Sequence, residues 1–276
     1  MNKIICVVDN AVKRSSHFWG EHGLSFWIDS GEKVVLFDSG QSGSVLIHNL
    51  DELELQSQEV AALSLSHAHY DHSGGLESIF ADNPGLPLYA NPDLLRPRFS
   101  LQDGDYVDIG MPFIRRQLTQ LTDLHLSAEP VEVIPGLWTS GEITERNEQE
   151  GRSPHHFVPA DDGWQPDPYR DDMSMVIEAK EGLILVCGCC HAGLLNTIAH
   201  VRRLFQRPIT VVMGGSHLVS ADDDYFQYVI DVLREEYSPI RFYLNHCTGE
   251  RAIIALSNAF GELVQPFPVG SQLVFD

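Results

Sequence analysis

Apolar runs rich in β-branched residues alternate with amphipathic stretches along the chain, and Gly, Asp or Pro separate most of them. The apolar runs predict strands at residues 4–8, 25–29, 34–38, 60–66, 131–134, 137–140, 175–178, 183–187, 209–213 and 240–244. Apolar positions spaced by three and four predict helices at residues 44–50, 75–80, 194–205, 225–236 and 251–260. Strands and helices occur in both halves, which favours a mixed α/β (α+β) fold over a helix bundle.

One segment departs from this alternation. Residues 141–172 read GEITERNEQEGRSPHHFVPADDGWQPDPYRDD, which is polar, acidic and too long for an ordinary connector. We predict a loop or lid insertion there, within a single domain that spans residues 1–276, and a mobile surface loop is the alternative. His155 and His156 lie in this segment and are expected to be exposed, unless the loop folds inward.

Charge limits the partners of the protein. Lys and Arg total 18 against 39 Asp and Glu, a formal net charge of -21, so nucleic acid and anionic membrane surfaces are repelled by the overall field. We therefore expect a small-molecule substrate, with no nucleic acid and no membrane as partner. The oligomeric state is left open.

Two further patterns indicate the cytoplasm. The first residues lack the apolar core and cleavage site of a signal peptide, and nowhere do 18 apolar residues follow one another. The five cysteines include Cys187, Cys189 and Cys190 close together, a spacing that does not resemble a disulfide framework.

The stretch SLSHAHYDHSGGL, residues 64–76, follows a buried strand and gathers His67, His69, Asp71 and His72 where that strand ends. His67 and His69 point the same way in an extended chain, and the next turn brings Asp71 and His72 beside them. Neutral imidazoles and a carboxylate suit Zn²⁺, with Mn²⁺ or Fe²⁺ as alternatives. A pH-sensitive surface turn, or core histidines whose hydrogen bonds are satisfied, is the other interpretation.

The run HAHYDH resembles the signature of the metallo-β-lactamase fold superfamily, whose two metal ions draw on the two halves of that motif. The run LFDSG at 36–40 resembles the superfamily's early aspartate, which implies that Asp38 lies near the centre. Further stretches are similar to a branch that contains the archaeal dihydropterin-ribofuranosylaminobenzene phosphate synthase: EHGLSFW, GLWTSGEI, CGCCHAGLLN, GGSHL and NHCTGE. The resemblance implies a four-layer αβ/βα sandwich with the metal site at one edge.

The resemblance also implies ligands downstream of the motif. The family pattern has an acidic or cysteine position after a strand-terminal glycine, and no Gly-Asp pair ends a strand here. We carry over His191 as the middle ligand and His246 as the final one. Cys189 is the rival of His191, although a buried structural cysteine is the preferred interpretation of Cys189.

Three other residues are placed near the centre. His217 ends a predicted strand and is assigned to substrate contact or proton transfer, with a loop-holding histidine as the equal alternative. His22 would approach from the first hairpin, and Asp172 would close the loop.

Two divalent cations would lower the pKa of a bound water and stabilise charge on a reacting carbonyl or phosphoryl group. Asp71 would orient or deprotonate that water, and Asp38 would fix histidine tautomers. The first hypothesis is a metal-dependent hydrolase of a small, anionic ester, lactone or phosphoester. The alternatives are a synthase that displaces pyrophosphate from a pterin and a non-enzymatic, metal-stabilised binding or sensing protein.

Overall fold

The computed structural model describes residues 2–237 and 239–276. The strands of the first half are β1 (Asn2–Val8), β2 (Ser25–Asp29), β3 (Val34–Phe37), β4 (Val60–Ser64), β5 (Leu86–Ala90), β6 (Phe99–Gln102), β7 (Asp105–Asp108) and β8 (Thr122–Leu126). Those of the second half are β9 (Glu132–Ile134), β10 (Leu137–Thr139), β11 (His156–Ala160), β12 (Gly163–Pro166), β13 (Ser174–Ala179), β14 (Gly182–Cys187), β15 (Ile209–Gly214), β16 (Arg241–Leu244), β17 (Val264–Pro266) and β18 (Gln272–Phe275).

Helices connect and cover these strands. The α-helices are α1 (Gly43–Glu52), α2 (Tyr70–Ser73), α3 (Leu76–Asp82), α4 (Arg115–Leu121), α5 (Leu194–Phe205), α6 (Asp223–Val232) and α7 (Glu250–Phe260). Short 3-10 helices occupy Ser57–Glu59, Pro92–Leu95, His246–Thr248 and Gly261–Leu263, and a π-helical turn, Leu233–Tyr237, follows α6. None of the helices in this described part of the chain combines the length and the apolar content needed to cross a membrane.

The architecture is the four-layer αβ/βα sandwich that the sequence resemblance implied. One sheet has the order β18-β1-β2-β3-β4-β5-β8 and the other β17-β16-β15-β14-β13-β10-β9. Ile4 and Cys6 of β1 pack between the sheets, whereas Ile5 and Val7 pack towards helices α1 and α3. Burial on both faces explains why β1 reads as an unbroken apolar run. Helices α5, α6 and α7 cover the outer face of the other sheet.

All strands predicted from the sequence occur, with ends shifted by at most two residues. Strands β5 to β8, β11, β12, β17 and β18 were not predicted, nor were the short helices α2 and α4. Most of these are short or carry polar residues, and Pro87 interrupts the apolar pattern of β5. These segments form strands because they pair with neighbouring strands, not because their own composition favours a strand.

The composition of segment 141–172 suggested a loop, but the segment contains two strands. It contributes the hairpin of β11 and β12 to a small third sheet of order β12-β11-β6-β7. The segment also ends in buried residues, among them Asp167, Tyr169 and Asp171. Whether it moves as a lid stays a prediction.

A buried ion cluster attaches this segment to the rest of the domain. The Arg98 side chain is 0 % exposed, its Nε lies 2.9 Å from Asp167 Oδ2, and its Nη2 lies 2.6 Å from Asp171 Oδ1. Asp171 Oδ2 also accepts a hydrogen bond from the Ala68 amide at 2.8 Å. The cluster therefore links the residue before β6, the end of the segment and the loop that carries His67 and His69.

We predict that Arg98→Met lowers the free energy of unfolding by about 3–5 kcal/mol, because two buried carboxylates lose their cation. Urea denaturation at constant slope measures the change. The matched control is Arg170→Met, whose side chain is 57 % exposed in its ion pair with Glu142, and it should cost about 0–1 kcal/mol. Equal losses in the two variants would contradict the role assigned to the cluster.

Candidate metal centre

Five strand ends meet at one edge of the sandwich, and each is followed by a side chain suited to metal binding or proton transfer. Asp38 follows β3 and His67 follows β4, and these two strands are parallel. Cys189, His217 and His246 follow β14, β15 and β16, which are also parallel. Since the carboxyl ends of parallel strands lie together, the two sheets present both rows of side chains at one edge.

The hydroxyl of Ser66 orients His67. Ser66 Oγ donates a hydrogen bond to Asp38 Oδ2 at 2.7 Å and lies 2.8 Å from His67 Nδ1. Because the Ser66 hydroxyl already donates its proton to Asp38, it accepts a hydrogen bond from the Nδ1–H of His67. The lone pair of His67 is thereby left on Nε2, which lies 2.9 Å from His69 Nδ1.

Asp38 orients His72 in the same manner. His72 Nδ1 lies 2.7 Å from Asp38 Oδ2, so Nε2 faces the centre, 3.3 Å from both Cys189 Sγ and His246 Nε2. Burial lowers the pKa of His72, but the carboxylates of Asp38 and Asp71 outweigh it and raise the pKa to about 9. Metal binding at Nε2 would therefore displace a proton.

Asp71 and His246 lie together on the exposed side of the centre. Asp71 Oδ2 is 3.4 Å from His246 Nε2 and 3.3 Å from His22 Nε2. Burial alone would raise the pKa of Asp71, yet His72 and His246 hold it well below its usual range. Asn10 Oδ1 lies 2.9 Å from His246 Nδ1, so the Nε2 lone pair of His246 is directed inward.

Donor atoms converge in three groups, within 4.8 Å of one another in each: His67, Cys189 and His191; His72, Cys189 and His246; and His22, Asp71 and His246. The Cys189 thiol belongs to the first two groups. Cys189 is buried, as the sequence interpretation expected, and its thiol also lies within reach of two groups of candidate metal-binding atoms. Cys189 is therefore a candidate metal ligand.

The chemistry of these residues fits a bound metal ion. His69 Nε2 and His191 Nε2 are buried and have no hydrogen-bond partner among the described residues. His191 Nδ1 donates to the Gly151 carbonyl at 3.0 Å, which leaves Nε2 as the lone-pair atom. Burial lowers the pKa of His67, His69 and His191, so their rings are neutral and able to ligate.

Backbone strain concentrates at the same edge. Asp38, Tyr169, Cys190, His217 and His246 have φ values of 60°, 46°, 56°, 47° and 49°. Such left-handed conformations are uncommon for residues other than glycine and cluster at functional sites. The fold therefore holds these five residues in strained backbone conformations at the site.

His217, predicted to contact substrate or transfer protons, lies beside the donor groups and not within them. Its ring centre is 4.5 Å from that of His191, and its Nδ1 is buried without a partner among the described residues. Burial lowers the pKa of His217 to about 4, so the ring is neutral at pH 7.

Segment 141–172 contacts the centre directly. His156 lines the cleft, which differs from the exposed position expected for it, whereas His155 is exposed as expected. Asp172 is buried and accepts a hydrogen bond from the Ala192 amide at 2.8 Å, next to His191. This contact braces the loop that carries a predicted ligand.

Sequence reasoning missed several residues that orient the donors. Asn10 and Asp9 follow β1 at the same edge, and the strand-end rule used for the other residues would have found them. Asp9 accepts a hydrogen bond from the His246 amide at 2.8 Å. Gly151 and Tyr169 had no comparable local signal.

The cleft in front of the donors has a volume of about 160 Å³. Its lining residues are His22, His69, Tyr70, Asp71, Ser100, Gln102, Ile109, His156, Cys189, His191, His217, His246 and Cys247. Among the residues that the structure describes, no Lys or Arg contributes to this lining. Positive charge at the cleft would therefore come from bound metal ions.

Comparison with known proteins assigns the family. Residues 19–159, just over half of the chain, match the model of the metallo-beta-lactamase superfamily. The chain belongs to this superfamily. A 7,8-dihydropterin-6-methyl-4-(beta-D-ribofuranosyl)-aminobenzene-5'-phosphate synthase of Methanocaldococcus jannaschii is 27% identical over 99% of this chain and 96% of its own. An uncharacterized protein of the same organism is 29% identical over 91% of this chain and 92% of its own.

Solved structures agree on the fold of this superfamily member. Tm1679, described as a metal-dependent hydrolase of the beta-lactamase superfamily, aligns over 100% of both chains with a TM-score of 0.85 and 25% identity. Zn(2+)-bound PqqB from Methylobacterium extorquens aligns over 99% of this chain and 100% of its own, with a TM-score of 0.59 and 12% identity. The second likeness concerns the fold alone.

We predict that His67→Ala or Asp71→Ala removes metal from at least one position without unfolding the sandwich, because both residues follow a strand rather than lie within it. Elemental analysis of the purified variants measures this, and His125→Ala, on an exposed residue paired with Asp123, is the control. Full occupancy in both site variants would refute the ligand assignment.

The cysteines supply a sharper test. Cys189→Ala should weaken metal binding by about 10-fold or more, since the thiol is shared by two donor groups. Cys187→Ala removes a thiol of equal size that is buried in the apolar core, so it should lower stability and leave metal binding unchanged. Competition with a chromogenic chelator gives the two affinities, and unchanged affinity in Cys189→Ala would restore the structural interpretation.

Proposed function

We propose that the protein is a metal-dependent hydrolase of a small ester, lactone or phosphoester. The observation that carries this proposal is the convergence of donor groups sharing Cys189 on an open cleft. Structural metal sites are closed by their ligands, whereas catalytic sites leave a position open to solvent and substrate. The likeness to Tm1679, described as a metal-dependent hydrolase, supports the same conclusion.

The donor set suits two divalent ions, Zn²⁺ above Mn²⁺ or Fe²⁺, because thiolate and imidazole are softer than carboxylate. Such ions supply an activated water and charge stabilisation at the scissile bond. Asp71, on the cleft side, would orient or deprotonate the nucleophile. His217 is proposed to contact substrate or move a proton, and Asp38 keeps His72 in the tautomer that ligates.

The substrate is proposed to be small and anionic. The cleft of about 160 Å³ is below the roughly 300–1,000 Å³ of pockets that enclose drug-sized ligands. With no Lys or Arg among its described lining residues, an anionic group would be bound by the metal ions. The net charge of -21 makes nucleic acid and membranes poor partners, and a cytoplasmic location remains part of the proposal.

A second candidate is a synthase that displaces pyrophosphate from a pterin, in keeping with the archaeal relative that is 27% identical over 99% of this chain. That reaction needs room for a pterin and an arylamine sugar phosphate together. The small volume of the cleft favours the hydrolase. A non-enzymatic metal-stabilised protein is the third candidate.

The test begins with protein expressed in the cytoplasm and loaded with Zn²⁺, Mn²⁺ or Fe²⁺. A phosphodiester, a phosphomonoester, a thioester and a lactone are supplied as substrates, each alone. We expect hydrolysis of at least one class, at least 100-fold slower in Asp71→Asn and unchanged in His125→Ala.

Other outcomes discriminate between the candidates. Release of pyrophosphate from a pterin pyrophosphate only when an arylamine is present would establish the synthase. Full metal loading without turnover in either assay would overturn the enzyme proposal in favour of the binding protein.

A further inference from the structure

His156 occupies a position that the ligand groups do not explain. It is the first residue of β11 and pairs with Ser100 of β6 across the third sheet. Its ring lies edge-on to that of His69, with ring centres 5.0 Å apart, and it lines the cleft. It belongs to none of the three groups of converging donor atoms.

The hydroxyl of Tyr169 fixes the tautomer of His156. Tyr169 Oη lies 2.8 Å from His156 Nδ1, and the Ser153 amide donates to the same oxygen at 3.4 Å. Because Ser153 N–H is a donor, His156 Nδ1 is the one acceptor that the described residues offer to the buried hydroxyl proton. Leaving that proton without an acceptor would cost about 1–3 kcal/mol. Nδ1 therefore accepts, and the proton of the ring is on Nε2.

Tyr169 is itself held in place. It is 0% exposed, and its ring stacks on that of His191 with centres 4.1 Å apart and planes 17° apart. Its amide donates to Asp167 Oδ1 at 2.8 Å, and its carbonyl accepts from Arg146 Nη2 at 2.7 Å. The stacking and these two hydrogen bonds therefore hold in place the hydroxyl that orients His156.

We infer that His156, through its Nε2–H, donates a hydrogen bond to the substrate oxygen that gains negative charge during reaction, and that Tyr169 is its positioning residue. The inference rests on the proposed hydrolysis. A donor fixed before the reaction stabilises such an oxygen without reorganisation. The tautomer of His217 is not fixed in this way, because its Nδ1 has no hydrogen-bond partner among the described residues.

The experiment uses metal-loaded protein and inorganic phosphate as an oxyanion probe, so that binding is measured without turnover. The variants are His156→Ala, His156→Gln, which keeps a donor, and Tyr169→Phe, which keeps the ring stacked on His191. His155→Ala, at the exposed neighbouring position, is the control.

We expect unchanged metal content in all variants. Phosphate affinity measured calorimetrically should fall about 10- to 100-fold in His156→Ala, less in Tyr169→Phe and His156→Gln, and not in His155→Ala. For a substrate found in the hydrolase screen, kcat should fall in His156→Ala while KM changes little.

Loss of metal in His156→Ala would show a ligand and overturn the inference, as would unchanged phosphate affinity or failure of the unaltered protein to bind phosphate. Weakened phosphate binding in a protein that hydrolyses none of the substrates would instead uphold the donor and reject the hydrolase. The two proposals therefore fail separately.

Discussion

The hydrogen bonding of the buried Asp38 carboxylate is the interaction on which the candidate metal centre depends. This carboxylate is buried at 0% exposure and accepts three hydrogen bonds at 2.7 Å, from the Ser66 amide, the Ser66 hydroxyl and His72 Nδ1. An ionised carboxylate without such partners would be very costly in this interior. The same three bonds join the end of β3 to the loop after β4. One buried charge thus fixes both the backbone of the ligand loop and the lone pairs of two imidazoles.

Close contact between the two sheets follows from the same cluster. Gly188, after β14 of the opposite sheet, lies so near Ser66 that a Cβ there would be 2.2 Å from the Ser66 hydroxyl oxygen. Any side chain at this position would push the sheets apart or displace the hydroxyl that orients His67. The glycine therefore allows Cys189 to approach His72 to 3.3 Å, and the two halves of the domain form one centre.

The sequence reveals what is local in this protein. Apolar periodicity predicts the main strands and helices, and the donors from His67 to His72 are visible because a strand and a turn place them together. The contacts that orient them join distant residues. Asn10 reaches His246 across 236 positions, and Gly151 reaches His191 across 40. Secondary-structure propensities carry no information about such distant pairs. The third sheet was also missed, because β12 is exposed along its whole length and lacks an apolar pattern.

Segment 141–172 both supports the loops that carry candidate ligands and lines the cleft. Its acidic and turn-forming residues suggest an independent surface loop, yet Gly151 and Asp172 support the loop of His191, and Asp171 supports the amide of Ala68. The same segment presents His156 to the cleft. Gly151 and Asp172 therefore place this segment within one or two hydrogen bonds of the candidate ligand His191. The segment is thus part of the wall of the candidate centre, because one stretch of chain both supports the loop of His191 and lines the cleft.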